Sequence, residues 1–262
     1  MGERSVKREY TYKVNSSKYK KKRKKRKLKR IKVIGIILIV FVVIGIKQLN
    51  IFKNDAITVV GSKETEPQEL LKYADRPIVC IDAGHGGYDV GAMTNSNVYE
   101  KDITIKVALE VGKILDQNQI NVVYTRTSDE VPWPSNESDD LLKRIDISNS
   151  KNADVFVSIH CNFFEDSSVK GVESWCRFPN SEGESLAKNI QNKLASVNYT
   201  TDRRIKYESD SEIRVIRLNN AVSTLVELGY LTNDSDTEFL LSTQGQAKCA
   251  KAIADGILEY LS

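Results

Sequence analysis

Only two histidines occur in this 262-residue chain, and each closes a short apolar run. His85 follows Ile81-Asp82-Ala83-Gly84 and precedes Gly86-Gly87, while His160 ends Val155-Phe156-Val157-Ser158-Ile159. A solitary histidine is usually an ordinary core or surface residue, but two at the carboxyl ends of strands can meet on one rim of a sheet. The glycines after His85 allow backbone to come close to a bound group. Two carboxylates stand in comparable places. Glu100 sits where a helical pattern opens, a position the helix dipole also favours. Glu227 follows Ser223-Thr224-Leu225-Val226, an apolar setting in which an unpartnered acid is costly; its plain alternative is a structural ion pair.

Two imidazoles and one carboxylate around an open fourth position make the donor set of a hydrolytic zinc ion. A second carboxylate, not a ligand, can then move a proton from water to the leaving amine. The chain supplies a candidate for each role and no spare histidine. Competing catalysts fare worse. A serine or cysteine nucleophile would need one of the two histidines as its base, and no G-x-S-x-G elbow is present. Strand alternation turns Cys161 away from the face of His160. HExxH and the G-x-x-x-x-G-K-[ST] phosphate loop are both absent.

These residues have to be positioned by a folded unit, and the pattern gives an α/β class. Strands are predicted at 77–81, 121–125, 154–160, 171–177, 213–217 and 223–228, and helices at 102–116, 139–151, 181–195, 234–241 and 244–261. Such alternation implies a single domain with a largely parallel central sheet flanked by helices on both faces. Ligands of such sheets bind beyond the carboxyl ends of the strands, where His85 and His160 fall.

Charge divides the chain. Residues 1–47 hold 17 Lys and Arg against two acids, so the total of +4 leaves −11 for residues 48–262. Twelve of the fifteen residues from Lys18 to Lys32 are basic, a run that repels itself and seeks polyanions. The unbroken apolar stretch VIGIILIVFVVIGI at 33–46 follows it. Residues 31–52 become long enough to span a bilayer if Lys32 and Lys47 snorkel. The expected order is a cytoplasmic basic tail at 1–30, an uncleaved transmembrane signal anchor at 31–52, a linker at 53–76 and a catalytic domain at 77–262 outside the membrane. The tail is expected on anionic lipid, with no nucleic-acid partner. Cys80, Cys161, Cys176 and Cys249 could pair in three ways in such a compartment, although Cys80 and Cys249 lie in core-like runs.

The segments IDAGHGGYDVGA (81–92), the acid at Glu100, YTR followed by Asp129, VSIHCN (157–162) and LVELGYLTN (225–233) together resemble the zinc-dependent N-acetylmuramoyl-L-alanine amidases of the amidase-3 type. The resemblance covers 77–262. It implies one zinc ion on His85, Glu100 and His160, with Glu227 as catalytic acid/base. The reaction it implies is hydrolysis of the amide joining N-acetylmuramic acid to L-alanine in peptidoglycan. Asn162 is the implied substrate-binding residue, or one that orients His160; Arg126 and Arg144 also match and read as structural. Cys161 stands where a small Ala is common, and Asn219-Asn220-Ala221-Val222 where a Pro is frequent. No long insertion separates His160 from Glu227, so control is expected from anchoring and from an activator, division or sporulation partner rather than from a built-in plug. The alternative is a catalytically inactive amidase-like protein that binds wall or scaffolds partners.

Overall fold

A computed structural model describes residues 71–262, apart from 95, 132, 134 and 209–211. The basic tail, the expected span at 31–52 and most of the linker lie outside the described residues. Among the described residues, no helix is long and apolar enough to cross a membrane.

Six strands form one sheet in the order β2-β1-β3-β6-β4-β5. They are β1 (Ile78–Ala83), β2 (Asn121–Tyr124), β3 (Val155–Asn162), β4 (Val172–Cys176), β5 (Asp202–Tyr207) and β6 (Val222–Tyr230). β1 pairs in parallel with β2 and β3, and β3 with β6. β4 runs antiparallel to β6 and parallel to β5, so the last two strands are reversed. The helices are α1 (Glu100–Gln117), α2 (Glu137–Ser150), α3 (Glu182–Ser196), the single turn α4 (Arg214–Arg217), α5 (Asp234–Leu241) and α6 (Thr243–Leu261). The expected α/β class with a largely parallel sheet between helices is what the structure has. Two elements differ from the sequence reading. Residues 213–217 make a helical turn instead of a strand, and β5 was not anticipated.

The two faces of the sheet are built differently. On one, Val79, Ile81, Val157, Ile159, Val226 and Leu228 are completely buried. There α1 packs on β1, β2 and β3, α3 on β4, β5 and β6, and α6 on both helices. The other face begins as a core of Ile78, Cys80, Phe156 and Leu225 under Ile145 of α2 and Val215 and Ile216 of α4. Successive side chains on a strand alternate between faces, so Asp82, Ser158, His160 and Glu227 follow these apolar residues on that same side. The apolar floor turns polar part-way along the strands. That change makes room for a site.

The helix starts are legible locally. Asn136, Ser181, Asn233 and Ser242 each cap a helix, their side chains accepting the amides of Asp139, Glu184, Asp236 and Gly245. All four cysteines are free and buried.

Candidate metal centre

His85, Glu100 and His160 each turn one ligand atom into a common space, and these atoms lie within 4.8 Å of one another. Nε2 of His85 is 3.1 Å from Oε2 of Glu100. Nδ1 of His160 is 3.0 Å from Oε1 of Glu100 and 3.1 Å from Nε2 of His85. The rings meet edge to face, with centroids 4.7 Å apart. Three distant stretches of sequence therefore converge on one point.

Each donor is held by its surroundings. Glu100 is the first residue of α1, yet its carboxylate does not cap that helix. It accepts the amide of Cys161 on Oε1 at 2.8 Å and that of Ala92 on Oε2 at 2.9 Å. Burial opposes its ionisation, but hydrogen bonds with His160 and His85 prevail and hold it well below the usual carboxylate range. His85 adopts a left-handed backbone with φ of 60°, uncommon for a residue with a side chain. Arg144 of α2 holds that turn from below, donating to the carbonyls of His85 at 2.7 Å and Ala83 at 2.8 Å and pairing with Asp82 and Asp140. Arg126 donates to Ala83, Gly84 and Lys101 carbonyls. Both arginines are scaffold, as their sequence setting suggests.

Asp89 is a residue that the sequence reading missed. Its Oδ2 lies 2.7 Å from Nδ1 of His85, and its Oδ1 accepts the Gly91 amide at 3.0 Å. A histidine whose Nδ1 donates to a carboxylate presents Nε2 as a donor atom to a metal. Burial disfavours a charged His85, but the hydrogen bonds of Asp89 and Glu100 outweigh it and lift the ring to about 10. The signal was the four-residue spacing inside GHGGYD, which a glycine-rich turn can close.

Glu227 is the cross-strand neighbour of His160 in the β3–β6 ladder. Its Oε2 is enclosed and has no hydrogen-bond partner among the described residues. Burial, followed by the charges of Glu100 and Glu173, pushes its carboxyl well above the ordinary range. An orphaned acid beside a donor cluster is the pattern of a functional group rather than of a structural ion pair. Asn162, at the end of β3, donates to Glu173 Oε1 at 3.2 Å and accepts the Phe163 amide at 2.9 Å. Neither bond goes to His160. Phe163 and Phe164 stand exposed just beyond it. Cys161 points to the opposite face and is enclosed, and burial raises its thiol well above the ordinary range. It offers no nucleophile.

Two part-exposed nitrogen donors and one buried carboxylate, preorganised around a shared point, fit a zinc ion.

Comparison with known proteins identifies the family. Residues 79–259 match the amidase-3 family, described as N-acetylmuramoyl-L-alanine amidase. The chain is 32% identical over 195 residues to the germination-specific N-acetylmuramoyl-L-alanine amidase of Bacillus subtilis, covering 71% of this chain and 80% of that one. It resembles the catalytic domain of the amidase CwlV from Bacillus (Paenibacillus) polymyxa at 36% identity, with a TM-score of 0.64 over 71% of this chain and 98% of that one. The CwlD amidase of Clostridioides difficile, solved in complex with the GerS lipoprotein, is 31% identical with a TM-score of 0.66, over 71% and 98% of the two chains.

Proposed function

The chain belongs to the N-acetylmuramoyl-L-alanine amidase family, and from that premise we propose how its residues divide the work. It is a hydrolase of the bacterial cell wall that cleaves the amide between N-acetylmuramic acid and L-alanine in peptidoglycan. In our reading His85, Glu100 and His160 hold one zinc ion, and Glu227 carries the proton. The observation that supports this best is the convergence of the three donor atoms within 4.8 Å beside an acid with a bare oxygen.

When bound, zinc supplies Lewis acidity toward the scissile carbonyl and lowers the pKa of water. The protein does the rest. Asp89 and the Arg144-braced turn set the direction of His85 Nε2. The Cys161 and Ala92 amides fix the plane of the Glu100 carboxylate. Glu227 accepts a proton as water attacks and returns it to the departing amine of L-alanine, a role worth about 10²–10⁴ in rate. Asn162, on the same rim, contacts the substrate. All four chemical groups are present, which argues against an inactive wall-binding relative.

We place the domain on the outer side of the cytoplasmic membrane, tethered by residues 31–52, with the basic tail on anionic lipid inside. The C. difficile relative solved with a lipoprotein makes a protein activator a fitting partner. Digesting purified peptidoglycan with zinc-loaded full chain tests the chemistry. Free stem peptides beginning at L-alanine are expected by mass, and their loss after chelation is expected to be reversed by zinc. Intact wall, or release that survives chelation, contradicts the reading.

A further inference from the structure

Beyond Glu227 the row of side chains crossing the sheet continues to a second acid, Glu173, which the mechanism leaves unused. His160 pairs in register with Glu227 across β3 and β6, and Glu227 with Glu173 across β6 and β4. Neighbouring strands lie about 4.8 Å apart, so the two carboxylates are borne side by side on one face. Their circumstances are opposite. Glu173 is 3% exposed, and both its oxygens are occupied. Oε1 accepts from Asn162 Nδ2 at 3.2 Å and Trp175 Nε1 at 3.1 Å, and Oε2 accepts from Arg203 Nε at 2.9 Å. Glu227 has an enclosed Oε2 with no hydrogen-bond partner among the described residues.

Arg203 makes the contrast meaningful. It reaches from β5 over the ring of Tyr230, 5.2 Å from its centroid, and Tyr230 lies on the strand that bears Glu227. Arg203 thus reaches toward the strand of Glu227, and an arginine released by Glu173 would find Glu227 the next carboxylate along that row. A bidentate pair of that kind is among the strongest a protein makes. Glu173 stands between them and takes the cation. Such a pairing would also leave Glu227 a poor proton acceptor.

We propose that Glu173 is a positioning residue for the amidase reaction: it claims Arg203 and anchors Asn162, and so keeps Glu227 unpaired for proton transfer. This rests on the reading of Glu227 as the proton carrier. Glu173→Gln, close in shape, keeps an acceptor for Asn162 and Trp175 but removes the charge that holds Arg203.

The test uses the full chain, with zinc content, thermal midpoint and steady-state kinetics on soluble peptidoglycan fragments. E173Q is expected to bind one zinc and melt like the parent, with KM within about threefold and kcat at least tenfold lower. Adding Arg203→Met to E173Q is expected to restore most of the lost kcat, because no cation is then left to occupy Glu227. Glu173→Asp, which keeps the charge, is expected to lose less than E173Q. The inference is overturned if E173Q stays within twofold of the parent, if it loses zinc or melts early, if R203M restores nothing, or if Asp and Gln lose equally. Glu227→Gln, run alongside, separates the two layers. Full turnover in E227Q sinks the reading of Glu227 itself, whereas an inactive E227Q beside a fully active E173Q sinks only the role of Glu173.

Discussion

The carboxylate of Asp89 lies 2.7 Å from Nδ1 of His85, and this one contact decides which ring nitrogen is free to face a metal. Asp89→Asn keeps the shape and weakens the acceptor. Zinc affinity is expected to fall about 10–100-fold while the fold stays intact. Competition against a chromogenic chelator measures it, and an unchanged dissociation constant contradicts the assignment.

The two carboxylates proposed as metal ligand and proton carrier are expected to separate cleanly. Glu100→Ala removes the bridge between the imidazoles and loses the metal. Glu227→Gln keeps zinc and lowers kcat by about 10²–10⁴. Elemental analysis beside a peptidoglycan assay distinguishes them; equal loss of zinc in both variants contradicts the division of roles.

Gly84 has no room for a side chain. A Cβ there would stand 2.4 Å from Cε1 and 2.5 Å from Nε2 of His160. Gly84→Ala is expected to push that ring out of the donor cluster and abolish zinc binding, although Gly84 contributes no ligand. Full zinc occupancy in the alanine variant argues that His160 can shift without consequence.

Acid stability follows from Asp82. Burial opposes its ionisation, but the Arg144 charge, then the Ser158 and Thr125 hydroxyls, hold it below the normal value. Its folded pKa is therefore below the unfolded one of about 3.9. The stabilisation is present in full above that unfolded value and drains away as pH falls through the folded one. Asp82→Asn leaves Arg144 short of a partner and is expected to cost about 3–5 kcal/mol at neutral pH. The variant should show a flatter stability curve between pH 5 and 2. Urea unfolding at pH 7 and pH 3 gives both numbers, and parallel curves for parent and variant contradict the account.

Much of the site was legible because its parts end strands. His85, His160 and Glu227 each follow β-branched or aromatic residues whose period of two assigns a face, and Glu100 opens a helix. What could not be read depended on partners across the sheet. Glu173 looks like any acid in a half-polar strand until the register sets it beside Glu227. Asp89 becomes meaningful once the glycine-rich turn folds it back onto His85. β5 reads Asp-Arg-Arg-Ile-Lys-Tyr, with Arg204 at a φ of 67° and a register shift opposite it, so it lacks alternation and stays a strand only by pairing with β4. In the opposite sense, Ile213-Arg214-Val215-Ile216-Arg217 alternates well enough to suggest a strand. The adjacent Val215 and Ile216 instead both enter the core under α2, which one turn of helix allows and an extended chain does not. The reversed direction of β4 follows from the short 163–171 connection, too brief for the helical crossover that a parallel neighbour requires.

The four enclosed thiols carry a consequence for where this domain can be made. Burial pushes the Cys176 thiol up to about 11 and that of Cys249 to about 12, so neither is poised for exchange with glutathione or an oxidase. No covalent staple has to form for the sheet to close. The same native state is therefore reachable in reducing cytosol and in an oxidising exterior, and recombinant production needs no thiol-handling machinery.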